Sequence, residues 1–303
     1  MRGFVRTPKG LLLIVLLALT AIAAPVEGSA ALGRVLSSVL AAAAIDSLLF
    51  AWRGRRLQFP VSAILTGLIS GMVLSSGAPI YVPVTAAAAA VLSKHVIRTS
   101  RGHLFNPAAA GLVVTSLLFA SPQSWWGSLS NLPAIFALLT LLLGMLVAGK
   151  VNKLPSIFAF AGLYFALFSA VALMGKAAAV SDVFRQPFTG AAFFFASFML
   201  TDPPTSPARP SDQVLFGGAV ALASFLVYSL TSGAVYYLPL ALLAGNALEA
   251  IRRGAASNSH EGVMQLLADE SHPSHERGLP VAVSCTWSGD NEADDCKASG
   301  ALR

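Results

Sequence analysis

Apolar residues run along this chain in blocks of about twenty, separated by short polar or charged joints. Such blocks fall near residues 10–25, 30–52, 61–77, 79–97, 105–120, 132–149, 154–174, 186–200, 213–230 and 234–251. A helix needs about 20 apolar residues to cross the hydrocarbon core of a bilayer. The pattern therefore predicts an all-α integral membrane protein of about ten transmembrane helices. Several blocks are short, and short or broken helices tend to line a site rather than face lipid. Ten spans divide into two fives, and repeats of five spans would be inverted across the membrane. A faint echo supports that division: Thr66-Gly67 with Met72, Leu74 and Pro79 resembles Thr189-Gly190 with Met199, Leu200 and Pro203.

Charge fixes the orientation. Arg2, Arg6, Lys9, Arg53, Arg55, Arg56, Lys94, Arg98, Arg101, Lys150, Lys153, Arg209, Arg252 and Arg253 fall in alternate joints or at the ends, and the other joints hold only Arg34, Lys176 and Arg185. This 14-to-3 bias places both termini in the cytoplasm by the positive-inside rule, in the cell's inner (plasma) membrane. The N-terminal block, with its basic start and small residues at 21–24, also fits a secretory signal; its cleavage would leave nine spans.

Composition agrees. The chain is 55% hydrophobic and 11% charged, against about 25% charged for a soluble domain. The net charge of +6 is scattered between apolar runs with no basic stripe, which excludes a nucleic-acid partner. Residues 1–253 form the membrane domain. Residues 254–303 are polar and read as a mostly disordered cytoplasmic tail with a short helix at 264–268. Cys285 and Cys296, with His272 and His275, match no ordinary zinc spacing, so no metal is expected.

Candidate chemistry sits at three interruptions. Asp46 lies inside an apolar run, where an ionised carboxylate costs about 2.5–3.5 kcal/mol. It is either an ion-path residue facing the bundle or an interfacial residue paired with Arg53. In residues 93–114, two histidines and three basic residues stop at Asn106-Pro107, and a helix begins. Asn suits the cap and Pro the first turn, leaving a positive helix end for a ligand. In residues 187–210, an apolar run ends at Thr201-Asp202 before four prolines. There the oxygens of Thr201, Asp202, Thr205 and Ser206 lie beside freed backbone groups, for a cation or a flavin edge.

The segments SAILTGLISGMVL (62–74), SKHVIRTSRGHLFNPAA (93–109) and TGAAFFFASFMLTDPPTSP (189–207) resemble the B subunit of the sodium-translocating NADH:quinone reductase and the D subunit of the Rnf electron-transport complex. The resemblance runs from about residue 50 to 251. It implies a membrane subunit of a redox-driven ion pump, partnered by lipid and by other redox subunits, with flavin among the helices. In that family FMN is esterified to a threonine in a Ser-Gly-Ala-Thr motif after the fifth span. Here that joint reads SPQSWWGSLSN, without threonine, and the motif occurs nowhere in the chain. FMN or riboflavin is therefore expected without a covalent bond, stacked on Trp125 or Trp126. Thr66, His103, Asn106 and Thr189 are the other cofactor candidates, and Asp46, Thr201, Asp202 and Thr205 the ion path. The alternative is a stand-alone transporter or accessory protein on the same scaffold. The chain has no dinucleotide fingerprint and is no NADH oxidase alone.

Overall fold

The computed structural model describes residues 4, 7–54, 58–99, 102–231 and 233–270, with side chains as far as 254. It is an all-α membrane protein; among the described residues the only paired strands are two-residue pieces. The chain divides into two compact units, Met1–Ala256 and Ser257–Arg303.

The first two apolar blocks lie on one helical element, α1, Pro8–Trp52. Thr7 starts it, its hydroxyl accepting from the Gly10 amide at 3.1 Å. Pro25 removes an intrahelical hydrogen bond, and Gly28 then takes φ 77°, ψ 177°, which a side chain would resist. The element folds into two arms there, and Lys9 and Asp46, near its two ends, line the same cavity. The second arm runs antiparallel to α2, Val61–Val73, because Gly67 lies on Val39 and Gly71 on Val35. A Cβ on either glycine would come within 2.8 Å of Val35 or Val39 backbone.

Next come α3, Tyr81–Val96, a short antiparallel pair, β1 Arg98–Thr99 with β2 Gly102–His103, and α4, Pro107–Phe119. The second half holds α5 Ile135–Lys150, α6 Leu154–Val171, α7 Phe188–Phe194, α8 Pro210–Leu230 and α9 Tyr237–Glu270. α6 continues through a π turn to residue 184, and α7 through a π turn, Phe195–Met199. All ten predicted blocks fall on helix. Among the described residues three helical stretches, Pro8–Trp52, Leu154–Phe184 and Pro210–Leu230, are long and apolar enough to cross a membrane. Others are shorter: the 13 residues of α2 or α4 reach only about 20 Å of a roughly 30 Å core. The segments that follow these short helices include the 200–209 loop, which carries several of the candidate site residues.

The halves share one packing device. Gly111 of α4 lies on Ala86 of α3, and Gly245 of α9 lies on Val220 of α8, at the same sequence separation. Their fillings differ. Around α2–α4 the buried positions include many alanines and glycines and no aromatic residue, whereas α6–α9 enclose Phe160, Tyr164, Phe168, Phe195 and Tyr237, all at most 1% exposed.

α9 continues to Glu270, so residues 264–268 fall on helix. The rest of the expected disordered tail, with His272, His275, Cys285 and Cys296, lies outside the described residues, as do Arg2, Arg6, Arg55, Arg56 and Arg101.

Candidate functional site

The loop after α7, residues 200–209, is tied down from several distant elements. Asn106 caps α4 through its side-chain oxygen, which accepts from the Ala109 amide at 3.0 Å. Its Nδ2 donates to the Met199 carbonyl at 3.0 Å, and its backbone N–H donates to Asn246 Oδ1 at 2.9 Å. Asn246 in turn donates to the Thr205 carbonyl at 3.2 Å. Lys153, only 4% exposed, donates to the Ser206 and Pro207 carbonyls. Gln213 donates to the Asn152 and Ala208 carbonyls, and Arg253 to Pro204. Backbone carbonyls freed by prolines are thus satisfied by side chains, as burial requires. Burial, then Arg253, lowers the Lys153 ammonium from its usual range to about 8, opposed by Asp202 and Glu249.

Within the loop, Asp202 accepts from Thr205 Oγ1 at 3.1 Å and from His103 Nε2 at 3.4 Å. The Asn-Pro and Asp-Pro interruptions therefore meet. Asp46 pairs with His95 Nε2 at 2.7 Å and Lys94 Nζ at 3.3 Å. Arg53 Nη1 lies 3.1 Å from His95 Nδ1. A guanidinium only donates, so Nδ1 accepts and the ring proton sits on Nε2, pointing at Asp46. Asp46 is thus buried and paired with Lys94 and His95 rather than with Arg53, which contacts the far side of the His95 ring.

A cavity of about 790 Å³ opens between these groups. Asp46, Thr66, His103, Asn106, Thr201 and Asp202 line it, with Lys9 and Lys94 also on its wall. Leu65, Ile69 and Phe198 give it apolar sides. Thr66 and Thr201 donate back to the Ser62 and Ser197 carbonyls, at 2.9 and 2.6 Å, which leaves their lone pairs free to accept. Ser197, fully buried on the same wall, has a hydroxyl without a partner. The starts of α1, α2 and α4 and the ends of α3, α5 and α7 converge here, so their dipoles largely offset one another.

Four predicted residues lie elsewhere. Thr205 is off the wall but hydrogen-bonded to Asp202. Thr189 is spent on the Val183 and Arg185 carbonyls. Trp126 is fully buried and donates from its indole to the Gly71 carbonyl at 3.1 Å, and Trp125 packs edge-on against Phe194. Both indoles are core, because the early end of α2 leaves a carbonyl and a space that Trp126 fills. The joint expected to carry esterified flavin in the resembling proteins is here a packed plug, with Ser128 and Ser130 also buried.

Sequence reasoning missed Asn246, Glu249, Lys153 and His95. Asn246 and Glu249 interrupt an apolar block just as Asp46 does, and that signal was readable. Lys153 looked like an ordinary loop cation.

Residues 5–134 match the model of the NQR2, RnfD, RnfE family. The match covers α1 to α4 and includes Asp46, Thr66, His103 and Asn106. No curated protein matches the chain.

Proposed function

We propose that this chain is a membrane component of a redox-driven ion-translocating electron-transport complex, akin to the D subunit of the Rnf complex, with flavin held non-covalently in the cavity. The carrying observation is the cavity itself. It joins the family-matched residues Asp46, Thr66, His103 and Asn106 to Thr201 and Asp202 of the second half. Its volume suits a ligand of flavin size. The accepting Thr66 and Thr201 suit the polar edge of such a ring, and Leu65, Ile69 and Phe198 its apolar edge. Bound flavin supplies one- and two-electron transfer. Asp202, fixed by His103 and Thr205, orients the loop and offers a carboxylate to a cation. Asp46, fixed by His95, exchanges a proton or a cation with the cavity. Ten crossings in two inverted sets of five, with the cavity facing the cytoplasm, complete this reading. Gly111 on Ala86, repeated as Gly245 on Val220, supports it.

The test is pigment. The full chain, or its complex, is purified in detergent and mildly denatured. Flavin should appear in the soluble fraction, and Thr201→Val with Phe198→Ala should lower its retention. A colourless preparation from riboflavin-rich cells overturns the flavin reading.

A second reading is favoured by the sealed, threonine-free joint at 121–131: a transporter or accessory protein without redox work. Asp202→Asn separates the two. Electron transfer through the complex falls under the first, and only solute uptake changes under the second.

A further inference from the structure

The far end of the bundle, away from the cavity, holds a second polar site. α2 stops at Val73 and α4 at Phe119, and the segment after α4 crosses both ends. Leu74 pairs with Gln123 in an antiparallel bridge. The Ser124 and Trp125 amides donate to the Val73 carbonyl, each at 3.0 Å, and Ser75 donates to the Pro122 carbonyl at 3.1 Å. Alternation along an extended segment puts Ser121 and Gln123 on one side. Gln123 Nε2 donates to Ser116 Oγ at 2.9 Å, so that side faces the end of α4. Ser116, Ser121 and Gln123 are at most 7% exposed. Yet Ser121 Oγ and Gln123 Oε1 have no partner. An unpartnered buried polar group is costly, and here two lie on one side of one segment, where a single bound species would answer both.

The chemistry favours a cation. Gln123 Oε1 only accepts, and the serine hydroxyls can turn their lone pairs inward. The C-terminus of α4, beside Ser116, turns its negative dipole end to this side, while the last carbonyls of α2 are answered by the Ser124 and Trp125 amides and the Trp126 indole. Arg34, the nearby cation on α1, is committed to the Ala30 and Ala78 carbonyls. The three residues Ser116, Ser121 and Gln123 supply only neutral oxygens. Calcium sites draw on carboxylates, so this set suits a monovalent ion. We infer that Ser116, Ser121 and Gln123 form a binding site for a dehydrated monovalent cation of the sodium class at the end of the bundle opposite the cavity. The site deepens the cation side of the proposed function and needs no flavin.

The experiment uses the purified full chain in lipid nanodiscs, with sodium chloride titrated against choline chloride at constant ionic strength. Thermal unfolding and tryptophan fluorescence are followed, since Trp125 and Trp126 adjoin the site. Sodium should raise the melting temperature by a few degrees, saturably, and shift the emission. Ser121→Ala and Gln123→Leu should each abolish both responses. Ser224→Ala, which removes a buried unpartnered hydroxyl on α8, should leave them intact. The inference is overturned if the parent chain shows no sodium-specific response, or if both variants retain it. It is equally overturned if the variants raise stability alike in both salts, which marks the oxygens as water-filled or empty. None of these readouts depends on flavin, so loss of the flavin reading leaves the site testable.

Discussion

After α7, at the cavity end, the chain breaks at prolines, and its carbonyls are taken up by Gln213 of the next helix and by Asn106, Asn246, Lys153 and Arg253 from distant elements. After α2, at the opposite end, main chain does the same work. The Val73 carbonyl is answered by two backbone amides, and one indole fills the remaining space. Side-chain straps keep an interruption open to a large cavity, whereas main-chain pairing with a tryptophan plug closes it. One broken-helix design thus yields an accessible polar chamber in one place and a sealed seam with two unanswered oxygens in the other.

The difference can be broken at either end. Asn106→Ala removes a cap and leaves the Met199 carbonyl only the long 3.4 Å bond from the Asp202 amide, so it should cost about 1–3 kcal/mol in micellar unfolding. It should also open the 200–209 loop to protease. If it is near neutral, the strap is ornamental. Trp126→Phe keeps most of the plug but strands the Gly71 carbonyl, and should cost about 1–3 kcal/mol with no new cleavage in that loop. The smallest effect belongs to Lys153. Its folded value of about 8 lies below the ordinary 10.5. Between those limits the unfolded chain holds a proton that the folded chain has released, so stability rises with pH there. The penalty of keeping the buried ammonium charged is present in full below about pH 8. Relative to Lys153→Met, the parent should gain on the order of 1 kcal/mol from pH 8 to 10.5. A flat difference means that the ammonium is well solvated.

Much of this was legible before any coordinates. The helices follow from apolar blocks that can satisfy their backbones only internally. Asn106-Pro107 reads as a cap because both residue types have one local use. The meeting of Asn106 with the Asp202 loop follows from prolines that free carbonyls and polar residues that must find partners. What stayed hidden depends on distant elements. Lys153 is exceptional only because loop 200–209 folds over it. Trp125 and Trp126 looked available for stacking, since nothing local reveals that α2 ends early and leaves them a pocket. The joint between the first two blocks hid a hinge whose geometry rests on one glycine with positive φ, Gly28.

The π turn at Phe195–Met199 sets a register. Leu200 donates to the Phe195 carbonyl five residues back, at 3.0 Å, so this turn carries one more residue than an α-helix would. If that turn wound as an ordinary α-helix with no residue removed, everything beyond it would rotate by roughly 100°. Thr201 and Asp202 would swing off the wall they share with Asp46, although every residue in the constellation would still be encoded. The winding of this one turn therefore sets the aim of the carboxylate, and a change that rewound it as α-helix would keep all the polar residues and lose the arrangement.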